Sequence, residues 1–196
     1  ELVGKDAAYA NLERVLAKTS HNNVLLVGDS GSGRTTLVEA LATNLATGDS
    51  NYSSLSYRHV WHLETQTLSS EEFQQIIVEA ANAGNIILVI DNFHAYPQLP
   101  DLLLPYLSIS NLQIIAVTDR ANFHNRIKNR SDIMSAFVKV EIEPIDNNDL
   151  ASFIARIISQ TGYQTDDNRF VDELIRLTDR LDPYQAQPQK SLELLE

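Results

Sequence analysis

Gly28-Asp29-Ser30-Gly31-Ser32-Gly33-Arg34-Thr35-Thr36 follows directly on the apolar run Val24-Leu25-Leu26-Val27. The spacing is that of a phosphate-binding loop, G-x-x-x-x-G-K-[ST], with one position changed. In such a loop the glycines let backbone N–H groups curl around phosphate oxygens. The lysine reaches the β and γ phosphates, and the hydroxyl after it serves Mg²⁺. Here Arg34 stands at the lysine position and Thr35 supplies the hydroxyl. A planar guanidinium fork does not replace a compact ammonium conservatively at a tight site.

The second chemical position is Asp91, at the end of Ile86-Ile87-Leu88-Val89-Ile90. A buried strand ending in a carboxylate, downstream of a phosphate loop, has the form that orders Mg²⁺ in NTPases. Thr35 and Asp91 are therefore the expected metal residues. The plain alternative for Asp91 is a cap on the following turn. Asn92 comes next, where hydrolysis would favour a carboxylate to take a proton from water. An amide can hold a water but cannot accept its proton. Thr118 ends the run Leu112–Val117, and its hydroxyl could face a γ phosphate or a lytic water. A turn-forming Thr-Asp pair accounts for it nearly as well.

These residues need a scaffold. Leu37, Ala40, Leu41, Asn44 and Leu45 recur at helical spacing through residues 35–46, which places the loop at a helix N-terminus, where free N–H groups attract anions. A flexible Gly/Ser turn is the competing reading of the loop. Upstream, Asp6 is expected to cap a helix to about Lys18, with Leu12, Val15 and Leu16 on one face. Val24–Val27, His59–Leu63, Asn85–Asp91, Leu112–Val117 and Val138–Ile142 read as strands. Thr47–Ser56 reads as a polar loop. Ser69 and Glu72 form a capping box for a helix to about Asn82, closed by Gly84. Strands alternating with helices imply a parallel sheet covered on both faces. After Pro144 only helical signals follow, at residues 149–160, 168–179 and 189–196. A boundary near Ile145 divides an α/β unit, residues 1–145, from a helical unit, residues 146–196.

Composition narrows the function classes. The chain has 196 residues, 43% of them apolar, no cysteine and a net charge of −11. A disulfide scaffold and thiolate zinc are excluded. No apolar run approaches the ~18 residues of a membrane span. The acidic balance argues against nucleic-acid binding, which needs a basic surface. Arg120, Arg126, Lys128 and Arg130 form the one basic cluster and read mainly as a solvated loop and helix face, with a neighbouring subunit as the smaller possibility. A cytoplasmic setting is compatible with the absence of cysteine. The chain opens on Glu1 rather than Met, so a piece of a longer protein is expected.

Taken together, the motifs resemble an AAA+ ATPase domain, and within that group the first nucleotide-binding domain of the Clp/heat-shock unfoldases of the ClpB and ClpC type. Residues 1–6 (ELVGKD) look like the family's V-[IV]-G-R-[DE], which implies adenine contacts at Val3 and Gly4. Asn22-Asn23 before the first strand is also Clp-like. Ile90-Asp91-Asn92-Phe93-His94 resembles I-D-E-[VL]-H, which makes His94 structural rather than a metal ligand. Residues 116–123 resemble G-A-T-T…Y, which implies a sensor role for Thr118. Residues 187–192 (QPQKSL) resemble L-P-D-K-A-I of the lid and bring Pro188 to the site.

The resemblance implies a five-stranded parallel P-loop sheet flanked by helices, with a small all-α lid, truncated here. It implies ATP or ADP held by Val3, Gly4, Asp29, Ser30, Gly31, Ser32, Gly33, Arg34, Thr35, Thr36 and Pro188, with Mg²⁺ at Thr35 and Asp91, and Asp91, Asn92 and Thr118 as the catalytic positions. For the whole protein the resemblance implies a homo-oligomeric ring, an implication the lost arginines weaken, while its protein substrates and adaptors are not named by the sequence.

The departures cluster on catalysis. Arg34 replaces lysine and Asn92 replaces glutamate. Residues 132–137 (DIMSAF) replace A-L-E-R-R-F, so both finger arginines are lost. Residues 68–73 (LSSEEF) look like a reduced form of the pore motif [KY]-Y-x-G-E-F, with no aromatic where substrate would be gripped. A finger contributes roughly 10³–10⁵ in rate and a base roughly 10²–10⁴. Weak or absent hydrolysis with retained binding is expected, in a structural or regulatory module. The alternatives are a working unfoldase-type ATPase that recruits Glu64 or Asp119, a nucleotide-free interaction domain, and a DNA-associated relative that the acidic charge disfavours.

Overall fold

A computed structural model describes residues 2–63, 68–96, 98–109, 111–160, 168–183 and 185–195. Glu1, Glu64 and Glu196 lie outside the described residues. Five strands, β1 (Val24–Val27), β2 (His59–Leu63), β3 (Ile86–Ile90), β4 (Gln113–Thr118) and β5 (Val138–Glu141), form one sheet of order β2-β3-β4-β1-β5. Every pairing is parallel. Strands β1, β3 and β4 are buried along their whole length, as expected of parallel strands covered on both faces. The register sets Val27 beside Thr118, and Ile90 beside Ala116. The carboxyl ends of β1, β3 and β4 therefore meet at one edge, where a parallel α/β sheet binds ligands.

Alternation along β1 divides the core. Val24 and Leu26 face α1 (Asp6–Leu16) and α2 (Arg34–Thr47), where Leu12, Val15, Leu16, Leu37 and Leu41 bury. Leu25 and Val27 face α3 (Ser70–Ala83), where Phe73 and Ile77 bury. The capping box of α3 is formed as the sequence predicts, by reciprocal bonds between Ser69 and Glu72, and Gly84 closes the helix in the left-handed region. Asp6 does not cap α1. Lys5 holds the cap position, and Asp6 is the first helical residue. An acidic group there still suits the positive end of the helix dipole.

Short helices cross the second face: α4 (Leu99–Leu103), α5 (Arg120–Asn122) and α6 (Ser131–Ala136), with a π-turn at Phe123–Ile127. The amino end of the sheet is locked by the buried Asn23 amide. Its Nδ2 donates to Leu107 O at 3.1 Å, and its Oδ1 accepts from Ile114 N at 3.0 Å. Helices α7 (Asn147–Gln160), α8 (Asn168–Leu181) and α9 (Gln189–Leu195) complete the chain. They share an apolar cluster of their own: Ile145, Leu150, Ile154, Ile158, Val171, Leu174 and Ile175. A buried hydroxyl pair, Thr178 and Ser191 at 3.1 Å, joins α8 to α9.

Candidate nucleotide-binding site

The loop after β1 is shaped by its glycines. Gly28 N donates to Thr118 O at 3.3 Å, and a Cβ on Gly28 would stand 2.6 Å from Ser32 Oγ. Ser32 N donates to Asp29 O at 3.1 Å. Gly33, at φ 88°, turns the chain into α2, a conformation costly for any residue with a Cβ. The helix starts at Arg34, one residue before the sequence pattern indicates.

A cavity of about 440 Å³ opens at this helix start, a size ordinary for a cofactor site. Ser30, Gly31, Ser32, Gly33, Arg34, Thr35 and Thr36 form one wall, and Val3 and Pro188 lie on the others. The loop pattern names the first seven, and the family resemblance implies Val3 and Pro188. Lys5, Ile145, Phe153, Gln185, Gln189 and Leu192 also line it. Phe153, Gln185 and Leu192 escape sequence reasoning because the helical segment brings them in from a distance. Two of the expected residues stand back. Gly4, at φ 64°, packs on Ile145 and Asp149. Asp29 turns its carboxylate to Arg120, 3.4 Å away.

Two polar atoms of the loop are buried without a hydrogen-bond partner, Ser32 Oγ and Arg34 Nη1. A buried donor left unpaired is costly, and an anion among the loop amides would satisfy both. The residues thus fit a polyphosphate. Thr35 also lines a second cavity, of about 310 Å³, together with Asp91, Val60, Val89 and Val117. One hydroxyl and one carboxylate fit Mg²⁺, which keeps several waters and takes its remaining ligands from phosphate.

Asn92 is exposed and left-handed, with φ 49°. Its N–H donates to Asp91 Oδ1 at 2.7 Å. Thr118 is fully buried, and its Oγ1 lies 3.0 Å from His94 Nδ1. His94 Nε2 stands 3.6 Å from Asp119 Oδ2. Burial pushes the His94 imidazole below its ordinary pKa and outweighs the pull of Asp119 the other way. Burial raises the Asp119 carboxyl, yet hydrogen bonds from the Asn122 side chain and backbone hold it below the usual range. Asp119 is thereby an ionised neighbour of the β4 end.

The basic cluster is not simply a solvated face. Arg130 Nη2 is 2.6 Å from both Asp101 and Asp132, and its Nε is 3.0 Å from Asp132. The guanidinium holds the Asp132 carboxyl down to about 2. Lys190 turns away from the cavity, to Asp179 at 2.6 Å and Asp182 O at 3.2 Å.

The family model "ATPase family associated with various cellular activities (AAA)" matches residues 24–100, from β1 through the start of α4. The chain has the P-loop AAA+ fold and is similar in sequence to proteins of the Clp/ClpB type. Its whole length is 25% identical to chaperone protein ClpB of Staphylococcus aureus (strain COL), of which it spans 25%. It is 26% identical to AAA+ ATPase ClpV1 of Pseudomonas aeruginosa, of which it spans 24%. The chain therefore covers about a quarter of these relatives' length. Among solved structures, 99% of it superposes on the S. cerevisiae Hsp104-ADP complex with a TM-score of 0.82 at 21% identity, over 30% of that chain. The closed-state Hsp104 reconstruction with ATPγS and FITC-casein gives 0.80 at 22%, over 37% of that chain. Among the described residues no helix is long and apolar enough to cross a membrane.

Proposed function

We propose that this chain binds ATP or ADP with Mg²⁺ and hydrolyses it weakly or not at all, acting as a structural or regulatory module of a larger Clp-like ATPase. The observation that carries the reading is the pair of unpartnered buried atoms, Ser32 Oγ and Arg34 Nη1, at the mouth of α2. Nucleotide bound here brings strong anionic charge that draws Mg²⁺ to its phosphate oxygens. The loop amides and Arg34 hold that charge, Thr35 and Asp91 hold the metal, and Val3, Ile145 and Phe153 wall the base. Residues 1–145 form the nucleotide-binding unit and residues 146–196 its lid.

Catalysis lacks its proton acceptor. Asn92 cannot take a proton, and Ser135 and Ala136 stand where the resemblance puts two arginines. The full-length protein is expected to assemble as a cytoplasmic homo-oligomeric ring that works on other proteins. Calorimetric titration with Mg-ATP, beside a phosphate-release assay, tests the reading. Binding with negligible release supports it, and no binding up to millimolar nucleotide overturns it.

One observation favours a second reading, a working ATPase. The Asp119 carboxylate stands next to His94, which touches Thr118. Release of phosphate that is abolished by Asp119→Asn, with binding intact, would establish that reading instead.

A further inference from the structure

Arg120 is the first residue of α5, just past the end of β4, and lies outside the phosphate loop. Its guanidinium is shared among three carboxylates. Nε stands 3.4 Å from Asp29, Nη1 3.1 Å from Glu141, and Nη2 3.6 Å from Glu143. Nη2 also donates to Ile142 O at 3.0 Å. One side chain thus ties the phosphate loop to the segment that leaves β5. Other cations touch the same rim without reaching Asp29. Lys139 pairs with Glu141 at 2.6 Å, and Lys5 Nζ donates to Glu143 O at 2.5 Å. Among the described residues, Arg120 is the one cation in ion-pair contact with the only carboxylate inside the loop.

We propose that Arg120 is a positioning residue for phosphate binding, resting on the nucleotide reading above. It neutralises Asp29 and turns that carboxylate away from the cradle. Without it, an unpaired negative charge stays on the loop that must accept a polyanion. Repulsion between like charges grows with the ligand's charge. The penalty therefore rises from AMP to ADP to ATP, which a general loosening of the fold would not produce.

The test is calorimetric titration of wild type, Arg120→Ala and the double variant Asp29→Asn/Arg120→Ala with AMP, ADP and ATP at low and high salt. Arg120→Ala is expected to weaken ATP about tenfold, ADP less and AMP least, with the differences shrinking in high salt. Asp29→Asn in the same chain is expected to recover most of the lost ATP affinity. If Arg120→Ala does not fold, Arg120→Gln with its Asp29→Asn partner gives the same comparison. Equal affinity for ATP, an equal loss for all three nucleotides, or no recovery in the double variant overturns the role of Arg120. Wild-type protein that binds none of the three overturns the nucleotide reading itself, a separate result.

Discussion

Ala186 N donates to Ser30 O at 2.8 Å, so the segment before α9 is hydrogen-bonded to the phosphate loop itself. Gly31 makes this approach possible. It sits at φ 80°, and a Cβ there would lie 2.9 Å from both Ala186 O and Gln189 Cβ. Neither the loop nor the helical segment can shift without the other noticing.

Gly31→Ala is therefore expected to act twice. The left-handed backbone and the collision with Ala186 O together cost about 1–3 kcal/mol, which denaturant unfolding measures. Nucleotide affinity is expected to fall as well, because the segment carrying Pro188 and Gln189 is pushed off the cavity. Gly33, whose added Cβ would meet nothing within 4 Å, bears the backbone strain alone. Gly33→Ala should then cost less stability than Gly31→Ala.

His94 gives the fold a dependence on pH. Burial, opposed by Asp119 and assisted by Arg126 and Arg34, keeps the folded imidazole below its ordinary value of 6.5. The unfolded chain then binds a proton that the folded chain resists. Stability is complete above about pH 6.5 and declines as pH falls through the lowered folded value. Unfolding free energies measured from pH 8 to pH 5 should fall more steeply in wild type than in His94→Gln. Identical slopes would contradict the burial argument.

Asn92 combines a lost base with a left-handed backbone. Asparagine tolerates that conformation better than glutamate. Asn92→Glu is expected to lower stability by about 1 kcal/mol, measured by denaturant melting. It is also expected to raise phosphate release by less than about tenfold, because base and arginine finger act as a unit. A release rate of many turnovers per minute would show that Asn92 alone silences the site.

Much of this was legible from residue order. Strands β1, β3 and β4 announce themselves as unbroken apolar runs because both of their faces are covered. The capping box at Ser69 and Glu72 is a local hydrogen-bond pattern, so the sequence carries it complete. The short helices α4 to α6 are not legible. Each is shorter than two full turns, so no period develops, and a contact remote in sequence, Arg130 with Asp101, links α4 to the start of α6. The phosphate loop could be read because its chemistry is contiguous. Its tether to Arg120 and the contact of His94 with Thr118 could not, because parallel register alone brings the end of β4 beside the ends of β1 and β3. Lys190 shows the reverse case. Its place in a lid-like motif suggests the cavity, yet Asp179 one helix away outcompetes it.

The central claim is that the amides around residues 28–36 cradle a polyphosphate. A ligand that binds only the folded state raises its stability by RT ln(1 + [L]/Kd). The most direct measurement is the melting temperature of the protein across a series of ADP and ATP concentrations with Mg²⁺. A rise that continues with the logarithm of concentration, and that is lost in Arg34→Ala, is the predicted result. A melting temperature unmoved by millimolar nucleotide would contradict it.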